Sequence, residues 1–176
     1  LDTASARAIF LACLDQARRK HAFKVYAYVI MPEHVLLLIH PTQAIYNIST
    51  ILHAIKTRSS RLILDEIKRS NGRLQEGPMI ERPNGEGSTD SGSKNDRNMT
   101  SPEAIANAIE YIHRNPHRRN LTIGDEDWLW SSETVYLGRR PEGFVTMIDP
   151  EVCTGLHEKF ASFVIPNHFS FRGLHG

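Results

Sequence analysis

The apolar positions of the chain change period several times in its first seventy or so residues, and each change marks an element. In residues 4–21 (ASARAIFLACLDQARRKH), Phe10, Leu14, Ala17 and His21 fall at i, i+4, i+7 and i+11, the spacing of one helical face. Arg18, Arg19 and Lys20 follow at the C-terminal end, where the helix dipole favours cations. Residues 23–31 (FKVYAYVIM) are rich in β-branched and aromatic side chains and predict a strand. Pro32 and Glu33 make a short break. Residues 34–40 (HVLLLIH) predict a second strand, paired with the first as a hairpin. Residues 46–69 return to helical spacing, with Ile48, Leu52, Ile55 and Leu62 on one face and Lys56, Arg58, Arg61, Lys68 and Arg69 mostly off it.

Residues 83–100 (PNGEGSTDSGSKNDRNMT) have almost no apolar content and predict a flexible loop. A third helix is expected at 101–115. Thr100 and Glu103 have capping-box spacing, Pro102 sits in the first turn, Ile105, Ile109 and Ile112 form the stripe, and Pro116 ends it. The remainder holds WLWSS and a tail punctuated by Pro and Gly. With a strand before residue 4 and another near 74–82, the order becomes β-α-β-β-α-β. That predicts an α+β fold, a ferredoxin-like (RRM-like) antiparallel sheet with helices packed on one face. The first strand would lie upstream of Leu1 or be absent, leaving an open edge. Residues 1–138 read as one domain and 139–176 as a C-terminal tail or extension.

Composition narrows the class. The 176 residues are 40% hydrophobic and 23% charged, enough for one domain with a core. Cys13 and Cys153, the two cysteines, make neither a disulfide framework nor a zinc spacing, so a reducing, cytoplasmic setting is expected. No apolar run approaches the ~20 residues of a membrane span, and no stretch of these residues reads as a charged-then-apolar leader.

The formal net charge of +1 gives no argument for a nucleic-acid partner, but its distribution does. Residues 111–120 carry Arg114, Arg118 and Arg119 without an acid, and 56–61 carry Lys56, Arg58 and Arg61, also without one. Such residues contact phosphates, and they also suit a helix C-terminus or a solvated helix face. Tyr111 and Asn115, at i and i+4, share a helix face away from the isoleucine stripe. A tyrosine held there is either a nucleophile toward phosphorus or an interfacial residue with a wet hydroxyl.

His34 shares a strand face with Leu36, Leu38 and His40. A ligand pair would sit at i and i+2, about 7 Å apart, but position 36 is Leu, and His40 is about 20 Å away along the strand. On this stretch alone His34 reads as a turn-capping histidine or as half of a metal pair. Trp128 and Trp130 read as a stacking surface for bases or as packing for the tail.

Together these segments resemble the single-tyrosine HUH transposases, in particular the REP-associated tyrosine transposases and IS200-like transposases. The resemblance is carried by Met31-Pro32-Glu33-His34-Val35-Leu36-Leu37-Leu38, by Tyr111-Ile112-His113-Arg114-Asn115-Pro116 with basic residues after it, and by Trp128-Leu129-Trp130-Ser131-Ser132. Asn95-Asp96-Arg97-Asn98 is similar to an element that precedes the tyrosine helix in some members. The likeness spans about residues 4–138.

It implies cleavage and rejoining of single-stranded or hairpin DNA in a prokaryotic cytoplasm, at the nucleoid, by a monomer or homodimer. It also implies Tyr111 as the nucleophile that keeps the 5′ phosphate, and a divalent Mg²⁺ or Mn²⁺ held by His34 and Asn115. Lys56, Arg58, Arg61, Arg114, Arg118 and Arg119 are then expected DNA contacts. The chain departs from the family at Leu36, where the second histidine of the HUH pair is expected. The aromatic segment expected near GPMIERP is missing too. Metal binding and cleavage are therefore expected to be weakened, and the alternative is a relative that binds DNA or RNA without cutting.

Overall fold

Every residue of the strand β2 (Val35–Pro41) is buried. Side chains alternate between the faces of a strand, so a strand buried throughout needs cover on both. The computed structural model describes residues 1–72, 97–99, 101–122, 128–139, 145 and 162–167, and it supplies that cover from three helices. α1 (Ala4–His21) and α2 (Ile48–Gly72) lie on one face. There Phe10, Leu14, Ile51 and Ile55 share a core with Val35, Leu37 and Ile39. α3 (Pro102–Arg118) lies on the other face, where Ile105, Ala108 and Ile112 join Leu36 and Leu38.

β1 (Phe23–Ile30) pairs antiparallel with β2, and its register shifts between Val25 and Ala27. An extra residue in one strand exchanges the faces that follow it. Phe23 and Val25, before the shift, and Ile30, after it, belong to the α1/α2 core, whereas Ala27 and Val29 belong to the α3 core.

Two further strands, β3 (Arg97–Met99) and β4 (Ser162–Asn167), complete a sheet of order β1-β2-β4-β3 with every neighbour antiparallel. The architecture is α+β, and the hairpin with α1 and α2 on one face is the expected ferredoxin-like arrangement. Packing on one face holds for those two helices only. Leu36 and Leu38, at even positions of β2, are as apolar as Val35, Leu37 and Ile39, so α3 is drawn to the opposite side. β3 lies inside the stretch expected to be a flexible loop, and pairing with β4 orders it as a strand. β4 comes from the stretch read as a tail or extension. It takes the place beside β2 that a leading strand was expected to fill or leave open. The strand expected near 74–82, residues 83–96, and Cys153 lie outside the described residues.

Local chemistry sets the helix boundaries. Thr3 Oγ1 accepts from the Ala6 N–H at 3.1 Å and caps α1. In α2 the deep positions are Ile51, Ile55, Ser59 and Ile63, and the expected Leu62 is exposed. Ser59 tolerates burial because its hydroxyl donates to the Ile55 carbonyl at 2.8 Å. The cap of α3 is Ser101, one residue beyond the expected Thr100, with its Oγ accepting from the Ala104 N–H at 3.1 Å. Pro116 does not end α3, which runs on to Arg118. A proline in the last turn forfeits one N–H bond, and the Arg119 N–H still reaches the Asn115 carbonyl at 3.1 Å.

α1 ends at Ala22, which holds the left-handed conformation at φ 50° while its N–H donates to the Arg18 carbonyl. An L-residue with a Cβ is strained there and glycine is not. Ala22→Gly is therefore expected to raise the unfolding free energy by about 0.5–1 kcal/mol in urea titrations. A loss of stability would contradict this account of the cap.

Candidate active site

Tyr111 and Asn115 stand on α3, whose apolar stripe is seated over the Leu36 face of the sheet. At 100° per residue the two are about 40° apart around the helix, and Asn115 is the nearer to Ala108 and Ile112. Burial follows that geometry: Asn115 is 5% exposed and Tyr111 46%. The Arg118 guanidinium carbon lies 5.3 Å from the centre of the Tyr111 ring, a cation–π contact one further turn along the same side. Arg114 shares its charge with Glu110 at 3.2 Å, an acid one position outside the basic run. Arg119 is exposed at the end of the helix.

The Asn115 carbonyl oxygen, Oδ1, is fully buried and has no hydrogen-bond partner among the described residues. A buried acceptor without a donor is costly and invites a proton donor or a cation. His34 closes the β1–β2 turn, with its backbone carbonyl accepting from the Met31 N–H at 2.9 Å. It is 7% exposed, and its Nδ1 is 3.9 Å from a Glu33 carboxylate oxygen. Leu36, two residues on, is 3% exposed within the α3 core. Among the described residues, no three His, Cys, Asp or Glu side chains gather as a metal site. A divalent ion taken up as the resemblance implies would draw on the His34 imidazole and the Asn115 carbonyl, with Leu36 in place of a third donor. That set suits an ion that keeps much of its water.

The second basic group is elsewhere. Lys56, Arg58 and Arg61 belong to α2, which packs on the opposite face of the sheet from α3. The structure therefore divides the cations that the sequence offered as one DNA-binding set.

The WLWSS segment works as an edge seal. β1 is an outer strand, and its free side is bonded by Ile30 N–H to the Trp130 carbonyl at 2.9 Å and by Ser132 N–H to the Tyr28 carbonyl at 3.0 Å. The indole N–H of Trp128 donates to the Ile30 carbonyl at 2.8 Å. Such cover protects an edge from pairing with another chain. Arg7 of α1 lies over both rings, 5.3 Å from Trp128 and 5.8 Å from Trp130. Both indoles are engaged in this packing, the bland alternative for the pair.

Sequence reasoning missed the link between that seal and the tyrosine helix. Ser132 Oγ accepts from the Tyr28 N–H at 2.9 Å and is hydrogen-bonded to His113 Nε2 at 2.8 Å. His113 stacks edge-on against Tyr136, with ring centres 5.0 Å apart. It is a buried core residue, not part of the basic surface. The available signal was its spacing, since Ile105, Ile109 and His113 fall at i, i+4 and i+8.

Residues 3–79 match the family model described as "Transposase IS200 like". Over that segment, which is less than half of the chain, it is similar to the IS200-like transposases. The matched stretch contains α1, the hairpin with His34 and Leu36, and α2, and it ends before α3. No curated protein and no solved structure matches the chain. Among the described residues no helix is long and apolar enough to cross a membrane.

Burial pushes the pKa of His113 from 6.5 down to about 4. Between those values the unfolded chain binds a proton that the folded chain refuses. Stability is thus fully present above pH 6.5 and falls as pH drops toward 4. Urea unfolding at pH 7 and pH 5 is expected to show a loss of about 2 kcal/mol from this residue. The loss should be largely absent in His113→Gln, which can keep a bond to Ser132 and does not titrate. An unchanged pH slope in that variant would show that His113 is not responsible.

Proposed function

We propose that the protein is a metal-assisted DNA strand transferase acting on single-stranded or hairpin DNA, with Tyr111 as its nucleophile. The observation that carries this reading is Tyr111 itself, held half-exposed beside the Arg118 guanidinium on a helix whose neighbouring turns are buried in the sheet. Its phenol oxygen attacks the phosphorus of a phosphodiester while the phenol proton passes to water. The bond from phosphorus to the 3′ oxygen breaks, and that oxygen leaves as a hydroxyl after taking a proton from water. The 5′ phosphate stays on Tyr111 as a phosphotyrosine, and attack by a 3′ hydroxyl reverses the step to rejoin a strand. Arg114, Arg118 and Arg119 hold the backbone by charge, independent of base identity.

A divalent ion, Mg²⁺ or Mn²⁺, supplies polarisation of the scissile phosphate when bound. His34 and Asn115 Oδ1 would be its protein ligands, with water completing the shell. Such an enzyme works on the nucleoid in a prokaryotic cytoplasm.

A second reading is favoured by one observation, the burial of Leu36 in the α3 core, which removes a ligand position. On that reading the protein binds DNA or RNA without cutting. Denaturing gels of protein incubated with Mn²⁺ and labelled hairpin DNA separate the two. The first reading expects a covalent adduct that Tyr111→Phe abolishes and Leu36→His accelerates by roughly ten- to a hundredfold, the usual worth of a metal-tuning residue. An adduct formed only by Leu36→His would establish the second reading. No adduct from either protein would reject tyrosine chemistry here.

A further inference from the structure

A cavity of about 560 Å³ lies in the seam between α1 and α2, on the face of the sheet opposite α3. Its basic lining is Lys20 and His21 from α1 and His53, Arg58 and Arg61 from α2, with Asp65 as the single carboxylate. Several arginines elsewhere on the described surface are paired: Arg18 and Arg19 with Asp15, Arg69 with Glu66, Arg114 with Glu110. Lys20, Arg58 and Arg61 have no ion pair among the described residues. The His21 Nε2 is buried with no hydrogen-bond partner among them. Cys13 lies in the lining beside Arg58, and its burial pushes the thiol up, so it adds no negative charge.

Three cations facing one carboxylate, with an imidazole nitrogen left unpaired, form a concave site short of an anion. Its volume lies in the range of small-ligand pockets, large enough for a nucleotide or a short length of backbone. We infer that the α1/α2 seam is a phosphate-binding site, distinct from the face that carries Tyr111. The phosphate belongs either to a nucleic-acid strand, as a second DNA contact, or to a free nucleotide.

The test uses full-length Tyr111→Phe protein, so that cleavage cannot intervene and failure of the Tyr111 reading is scored separately. The imidazole resonances of His21 and His53 are followed by NMR during titrations with inorganic phosphate, with a mononucleotide and with single-stranded DNA. All three probes are expected to move both histidines. Lys20→Gln combined with Arg61→Gln should weaken binding about tenfold or more, as expected for lost charge-assisted contacts. Asp65→Asn should tighten it, an opposite change that a merely misfolded variant would not give. Stronger binding of the mononucleotide than of DNA identifies a nucleotide site. Stronger binding of DNA, with a salt slope that falls by about one per cation removed, identifies a strand contact. Histidine resonances that none of the three probes moves, or equal affinity in the double variant, would overturn the proposal.

Discussion

The burial of β2 on both faces is the constraint from which the rest follows. A run of apolar residues from Val35 to Ile39 cannot leave either side to water, so the sheet must be enclosed. The odd positions face α1 and α2, and the even ones face α3. That second contact seats the tyrosine helix over Leu36 and holds Asn115 at the edge of the core with Tyr111 just outside it. The features proposed for catalysis are consequences of how one strand is covered.

The same constraint explains why Leu36 matters in two ways. In packing terms it is a good residue, 3% exposed among Leu38, Ile105 and Ile112. In chemical terms it puts alkyl surface, two residues from His34, where the resemblance expects a nitrogen donor. An imidazole at that position would need a hydrogen-bond partner or a metal to offset its burial. The chain has a well-packed core at the point where the family resemblance expects a ligand, and the Asn115 oxygen on α3 has no hydrogen-bond partner among the described residues.

Much of the fold was legible because its signals are local. The stripe of α1, the turn at Pro32-Glu33 and the β-branched hairpin strands each reveal themselves within a short window. The second cover over β2 was not expected, although the run VLLLI, apolar without alternation, carries its signal. β4 was not legible, because a strand that inserts between β2 and β3 is defined by partners more than sixty residues away. The candidate site divides in the same way. Tyr111 could be picked out because it stands off the isoleucine stripe. The separation of Lys56, Arg58 and Arg61 from Arg114, Arg118 and Arg119 could not, because it depends on which side of the sheet each helix packs. The burial of His113 could not be read either, because its partner, Ser132, lies in another segment.

The most direct measurement of this arrangement is a methyl NOE experiment on protein labelled at leucine, isoleucine and valine. The account predicts NOEs from the Leu36 and Leu38 methyls to Ile105 and Ile112, and from Leu37 to Ile51 and Ile55, with no exchange between the two sets. NOEs from Leu36 to the α2 isoleucines, or none to α3, would mean that the tyrosine helix does not cover this face of the sheet, and the proposed site would not exist.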